Sequence, residues 1–431
     1  MNASRHAERL GGREMAATLS RAILQEVLCN SDDAVVFYDL DRLDDRLNAL
    51  KNAFPANTLH AVAVKANPVV EVLKRIHAAG CGAEVASLGE LQLTLAAGFP
   101  VDAIVFDSPV KTIEEIRLAL KLGVGINANT LHELDRIADI LSTDKSRSRI
   151  GVRLNPETGL GSIDATSVAV QYSKFGVSLR ECHDALERAF SAYSWLTGIH
   201  VHIGSQGMSR DQLLDGIGAA YDFFIEFQQT GGILTFNIGG GLPAKYRDSD
   251  EPMGFNDYAS ALQERCPELF KAGVSLVTEF GRSVQASCGW VAARIEYLVE
   301  YENALTTAFI HVGADMFLRK AYRPEDWHHD ITVCDSNGRQ RQGPVKLFRV
   351  AGPLCFAGDY LEKDVFLPAN TREGDYILLH DAGAYTFSMW STYNSRQFPA
   401  VIGYGENQYS FQTLKPRQST EDLVAFWSTK G

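Results

Sequence analysis

The sequence predicts an α/β protein: a (β/α)8 TIM-type barrel followed by a second, mainly β domain. Three observations carry that prediction. Between residues 58 and 282 a short run rich in Val and Ile, a Gly- or Asn-containing turn and a helical period recur eight times. After about residue 283 the rhythm changes to strand-like runs broken by Gly, Pro, Asn and Asp. The 431 residues are also long for one domain and short for three.

The eight runs are HAVAVK (60–65), GAEVAS (82–87), AIVFD (103–107), VGINAN (124–129), RIGVRLN (149–155), GIHVHIG (198–204), LTFNIGG (234–240) and SLVTEF (275–280). Between them lie helical stretches such as VVEVLKRIHAAG, TIEEIRLALKLG and DQLLDGIGAAYDFFIEF, with apolar residues three and four apart. Eight strands alternating with helices over this length suit a closed barrel better than an open sheet. VVFYDL and DRLDDRLNALKNAF form a strand and helix leading in, which sets the barrel domain at 34–283. WVAARIEYLVEY, TAFIHVG, VKLFRVAG, DVFLPA and GDYILLHDAG make up the β domain, 284–431, joined by 1–33.

A net charge of −12 repels a phosphate backbone or an anionic membrane, so neither nucleic acid nor membrane is an expected partner. The amino-terminal MNASRHAERLGGREMAATLS lacks a secretory apolar stretch, and no segment approaches the ~18 apolar residues of a membrane span, which predicts a cytoplasmic protein. The seven cysteines, Cys29 to Cys355, are odd in number, scattered and never spaced C-x-x-C, which argues against a disulfide framework or a zinc site.

Active sites of such barrels lie where strands end and βα loops begin. The strand ends here are dense in polar residues: Lys65, then Glu84, Ser87 and Glu90, Asp107, Arg153 and Asn155, His200, His202 and Ser205, Gly239-Gly240-Gly241, and Glu279 to Arg282. A lysine in AVAVKANP either snorkels to water or, held in an apolar setting, is driven toward the neutral amine that condenses with an aldehyde. Three consecutive glycines either make a tight turn or offer unobstructed N–H groups to a phosphate. Gly281-Arg282 on the next strand adds a second phosphate-side candidate, where these barrels commonly bind phosphate. H-x-H places His200 and His202 on one strand face, but with no third ligand evident no metal is expected.

A lysine, an aldehyde and a phosphate together mean pyridoxal 5'-phosphate. The sequence resembles the fold-type-III, alanine-racemase-like pyridoxal-phosphate decarboxylases, the group that includes diaminopimelate and ornithine decarboxylases. The resemblance rests on AVKAN with Lys65, EVASLGEL with Glu90, SKFG at 173–176, HVHIGSQ, NIGGGLP, TEFGRSV, GPLCFAGD and DAGAY, running in family order from residue 61 to 385. It implies Lys65 as the cofactor lysine, His202 as the imidazole on the cofactor ring and Glu279 as the partner of the pyridine nitrogen. It implies a phosphate cradle of Ser205, Gly240, Gly241, Gly281, Arg282 and Tyr385. Cys355 and Asp359 resemble the segment that reaches a neighbouring subunit's site, where the cysteine reprotonates the substrate carbon; this implies a homodimer with shared sites.

The expected function is therefore decarboxylation of an amino acid or an amino-acid conjugate. Relatives that act on diamino acids carry an acid directly after the cysteine, where this chain has Phe356, and Arg319 and Tyr322 fall near a segment that binds the substrate's far carboxylate. These departures point toward a conjugate of a specialised pathway, such as siderophore assembly, with diaminopimelate decarboxylation in lysine biosynthesis as the alternative. EFGR in place of EPGR, and FDSPVK, depart from the family pattern as well. A racemase of this barrel type resembles the chain in its lysine but places an arginine near the pyridine nitrogen, against Glu279 here. A non-catalytic cofactor-binding barrel lacks the β domain, and an inactive regulatory homologue would lack Lys65 or Cys355.

Overall fold

A computed structural model describes residues 9–28, 32–228, 234–271, 273–302, 305–405 and 410–429, so Cys29 and the first eight residues lie outside the described residues. The chain forms two compact units. One comprises Met1–Leu43, Lys245–Asp250 and Gln285–Gly431, the other Asp44–Ala244 and Glu251–Val284.

In the first unit, strand β1 (Ala34–Asp39) follows the helix Gly12–Leu24. The second unit contains β2 (Leu59–Ala63), β3 (Gly82–Val85), β4 (Ile104–Phe106), β5 (Gly125–Ala128), β6 (Ile150–Asn155), β7 (Val177–Ser178), β8 (Leu196–Val201), β9 (Thr235–Asn237) and β10 (Ser275–Thr278). Eight of these run in the order β5-β4-β3-β2-β10-β9-β8-β6, and a β5–β6 pairing closes the ring. Each matches one of the eight apolar runs. The short β7, alongside β6, has no counterpart in that rhythm, because two residues leave no apolar period to read. The barrel strands are apolar almost throughout since helices cover one face and the barrel interior fills the other, where Ala61, Val105 and Val277 pack together.

The covering helices form for local reasons. Over Ile113–Leu122 the Thr112 hydroxyl accepts from the Glu115 amide while the Glu115 carboxylate accepts from the Thr112 amide, and Ile116, Ala119 and Leu120 make the buried stripe. Ser87 and Glu90 do the same at the start of Leu88–Ala96: Ser87 caps the Glu90 amide at 3.2 Å, and Glu90 accepts from the Ala86 amide at 2.7 Å. These two strand-end residues thus serve the helix entry.

In the first unit, β11 (Gly289–Glu300), β12 (Thr306–Ile310), β13 (Ile331–Cys334), β14 (Val345–Ala351), β15 (Tyr360–Pro368), β16 (Tyr376–Leu379), β17 (Ala400–Tyr404) and β18 (Gln412–Lys415) join β1. The order is β15-β14-β12-β11-β1-β17-β18, with β16 pairing β11 and β13. VVFYDL, expected as a strand leading into the barrel, thus pairs within this mixed sheet: antiparallel to β11 (Val36 with Val291) and parallel to β17 (Val36 with Val401). Its apolar side chains account for that. Phe37 stacks on Trp290 at 4.4 Å, and both join Met15 and Leu19 of the helix Gly12–Leu24 in one core with Val35, Leu378 and Ile402.

Arg9 fixes the start of the described chain in this unit, its side chain 8% exposed between Asp381 at 2.6 Å and Asp330 at 2.6 Å. Among the described residues, no helix is long and apolar enough to cross a membrane.

Candidate active site at the barrel strand ends

Lys65 sits just past β2, in the single 3-10 turn Val64–Ala66. Its Nζ donates to both carboxylate oxygens of Glu84, each at 2.6 Å, which aims the amine from one strand end toward the next. Glu84 is fully buried on β3 and the lysine side chain remains 39% exposed, so the amine is anchored yet open to a ligand. Burial pushes the Glu84 carboxyl up to about 6 even though the ammonium beside it acts in the opposite sense.

Across the barrel, the Gly240 amide donates to Nδ1 of His202 at 3.0 Å. That bond makes Nδ1 an acceptor, so the ring is neutral with its proton on Nε2, in keeping with burial that holds its pKa well below the ordinary value. Gly239 and Gly241 adopt φ of +66° and +101°, the left-handed region that side chains avoid. At Gly240 the reason is space: a Cβ there would come within 2.6 Å of the Glu279 carbonyl oxygen. Gly281 is likewise a close approach, because a Cβ would meet the side chains of Ala66 and Ala63, the turn that carries Lys65.

Beyond β10, the Arg282 Nε donates to the Ser205 hydroxyl at 3.2 Å, joining two elements of the expected phosphate cradle. Glu279, 4% exposed, accepts from the Asn237 amide at 2.6 Å and lies 3.4 Å from His200 Nε2. Burial raises its pKa, and burial depresses that of His200 to about 3. Neither ring nitrogen of His200 has a hydrogen-bond partner at proper geometry. The ligand atoms of His200, His202 and Glu279 lie within 4.8 Å of one another, so the third ligand-type group that H-x-H alone did not offer is Glu279. Arg153 places its guanidinium 4.6 Å over the Phe175 ring of SKFG.

This unit therefore brings together Lys65, His202, Ser205, Gly240, Gly241, Glu279, Gly281 and Arg282 at adjoining strand ends. Glu84, Asp107, Asn237 and His200 had no role assigned, although their places at strand ends were the signal that could have found them. The donor set suits pyridoxal phosphate: an anchored amine for the aldehyde, an open glycine turn and an arginine for the phosphate, and a buried carboxylate for the ring nitrogen.

The other candidates fall in the β unit. Cys355 is exposed on the segment between β14 and β15; its amide donates to Asn394 Oδ1 at 2.8 Å and its carbonyl accepts from the Tyr393 hydroxyl at 3.0 Å. Asn394 and Ser395 hold left-handed φ of 58° and 52°, a strained corner that shapes this support. Phe356 stacks on Tyr322, centroids 5.3 Å apart. Arg319 lies over two rings, Trp327 at 4.7 Å and Tyr385 at 4.8 Å, so a proposed substrate residue and a proposed phosphate residue meet. Asp359 departs from the expected substrate contact. It is 4% exposed, and its oxygens accept from the Ala314 and Leu354 amides at 2.6 and 2.7 Å, which braces the loop that presents Cys355.

Residues 40–286 match the family model of the pyridoxal-dependent decarboxylase, pyridoxal binding domain. The chain is 31% identical over 367 residues to the diaminopimelate decarboxylase of Pseudomonas aeruginosa, covering 84% of this chain and 85% of that one. It is also 31% identical over 401 residues to the diaminopimelate decarboxylase of Haemophilus influenzae, covering 91% and 92%. The crystal structure of diaminopimelate decarboxylase from Helicobacter pylori complexed with L-lysine superposes with a TM-score of 0.82 at 26% identity, covering 94% of this chain and 98% of that one.

Proposed function

This chain belongs to the pyridoxal-dependent decarboxylases, and on that premise we propose that it removes the α-carboxylate of an amino acid whose far end is anionic. Pyridoxal-phosphate-dependent amino-acid decarboxylation itself follows from the family. When bound, the cofactor would supply a sink for the electron pair left on the α-carbon as carbon dioxide departs. Lys65 would hold its aldehyde carbon, Glu279 would keep a proton on its ring nitrogen, His202 would support the ring, and Ser205, Gly240, Gly241, Gly281 and Arg282 would hold its phosphate, with Tyr385 as the remaining expected member of that cradle. Cys355 returns a proton to the α-carbon.

The observation that carries the anionic far end is the guanidinium of Arg319, fixed between Trp327 and Tyr385. A guanidinium held over two rings can meet a carboxylate bidentately at a reduced entropic cost. Diaminopimelate has such a far carboxylate, and the relatives named above are diaminopimelate decarboxylases. A second reading is favoured by Phe356 on Tyr322, an aromatic pair where diamino-acid enzymes of the family carry a carboxylate. A distal ammonium without a paired carboxylate loses several kcal/mol on desolvation, of which an aromatic face returns about 0.5 to 2 kcal/mol. A carboxylate-bearing conjugate without that ammonium escapes this cost.

Carbon dioxide release from diaminopimelate, lysine, ornithine and carboxylate-bearing conjugates, compared under identical conditions, tests both. Lysine and ornithine, with no far carboxylate, should be the poorest substrates, and Phe356→Glu should improve turnover of whichever substrates carry a distal ammonium. Lysine turned over as fast as diaminopimelate would remove the role of Arg319. Efficient use of diaminopimelate with no gain from Phe356→Glu would settle the matter against the conjugate.

We also propose a homodimer in which Cys355 serves the neighbouring subunit's barrel, in keeping with its exposure on a braced loop. Lys65→Ala and Cys355→Ala proteins should each be inactive. Mixed after dissociation, they should recover up to about a quarter of native sites, since half the pairs are mixed and each mixed pair holds one intact site. Verified mixed dimers without activity would mean that each site is built within one chain.

A further inference from the structure

FDSPVK places a carboxylate, Asp107, directly after β4, where it is 8% exposed. Neither of its oxygens has a well-aligned N–H or O–H donor. What it faces is other carboxyls: oxygens of Glu84, Asp107 and Glu279, all buried, lie within 4.8 Å of one another. Buried carboxylates this close do not all stay ionised, and with Glu84 paired to Lys65 the proton falls to Asp107 or Glu279. Their surroundings decide which. Glu279 has the Asn237 amide at 2.6 Å and His200 Nε2 at 3.4 Å to support a negative charge. For Asp107 the same ring stands farther off, with His200 Nδ1 at 3.8 Å.

We infer that Asp107 is a positioning residue of the decarboxylation: as a neutral acid it donates a hydrogen bond to Glu279, and so keeps Glu279 an anion fixed between Asn237 and His200. The inference rests on the role proposed above for Glu279 and extends it to a residue that does not itself meet the reacting atoms. The other groups facing Asp107 bear on the same balance. His200, Arg153 and Asn127 favour its anion, Glu279 opposes it, and Glu84 is itself engaged by Lys65. Burial outweighs the favourable groups and pushes the Asp107 carboxyl up to about 7, and a hydrogen bond donated by that neutral acid would act to lower Glu279. When Asp107 loses its proton two buried anions confront each other, and Glu279 must take up a proton or give up its place.

Three variants of the full-length holoenzyme test this. Asp107→Ala, which removes the donor, should lower kcat/KM at neutral pH by about tenfold to a hundredfold, the contribution of one hydrogen bond to a charged group. Asp107→Asn, whose amide can donate to Glu279 but cannot ionise, should recover most of that loss. The wild type should lose kcat/KM as pH rises above neutrality, and Asp107→Asn should not. An independent reading comes from the infrared difference spectrum, wild type minus Asp107→Asn: a protonated-carboxyl band at pH 6 that is gone at pH 9. Absence of that band at pH 6, or a high-pH limb that survives in Asp107→Asn, would overturn the inference. If Asp107→Asn does not fold, Glu279→Gln answers in its place, because without an anionic neighbour the Asp107 band must vanish at lower pH than in the wild type; an unchanged titration overturns the inference. Glu279→Gln with wild-type turnover would end the role of Glu279, even with the Asp107 band present.

Discussion

Lys65→Ala should give a folded protein that is colourless after incubation with pyridoxal phosphate and turns over on the order of a thousandfold more slowly than the wild type, about 4 kcal/mol of lost transition-state stabilisation. The alanine removes the amine that Glu84 holds with both oxygens. Lys111, also next to a strand end, has its Nζ committed to Glu133 at 2.8 Å and to the Ser108 and Asn127 carbonyls, with a side chain that is fully buried. Absorbance of the reconstituted protein and a carbon dioxide assay check the two halves of this expectation separately. Unchanged turnover in the variant would end the mechanism, whatever its colour.

Glu279→Gln is expected to cost decarboxylation on the order of a hundredfold, about 2.7 kcal/mol, while leaving the fold intact. Gln keeps the size and one oxygen for the Asn237 amide, so what it removes is the charge. On the role proposed for Glu279, the ring nitrogen of the cofactor would lose its proton without that charge, and the ring would withdraw electrons from the α-carbon less strongly. Comparison of kcat for the two proteins, alongside equal melting temperatures, is the measurement. Wild-type rates would mean that the carboxylate serves packing rather than the cofactor.

The barrel was legible because its strands are buried on both faces and therefore read as bare apolar runs, punctuated by turns. The lysine, the glycines and the arginine at the strand ends were legible for a related reason: a polar residue or an unbroken Gly run stands out against Val and Ile. Asn237, His200 and Asp107 stood in the same places, but what they do depends on which strands are neighbours in the ring. Glu279 meets His200 and Asp107 only because the strand ends converge, a relation with no fixed spacing along the chain. Asp359 misled because half of its setting is distant in sequence. Its position in GPLCFAGD suggested a ligand contact, whereas its oxygens accept from the nearby Leu354 amide and from the Ala314 amide, 45 residues back along the chain. The strand β1 was read as part of the barrel because an apolar run carries no mark of the strands it will pair with.

That pairing sets an order of events for the nascent chain. Val36 must find Val291 and Val401, so the central strand of the mixed sheet is synthesised first and acquires its two neighbours last. The whole barrel emerges in between, and its strands find partners close behind them in sequence, with only the seam between β2 and β10 left waiting. Contacts of such long separation are slow to form, because a large loop must close before any pairing repays it. During that interval β1 is an apolar strand with both edges open, a template for wrong pairing. Refolding from denaturant should accordingly be biphasic, with barrel absorbance and ellipticity returning before the Trp290 fluorescence that reports closure of the sheet around Phe37.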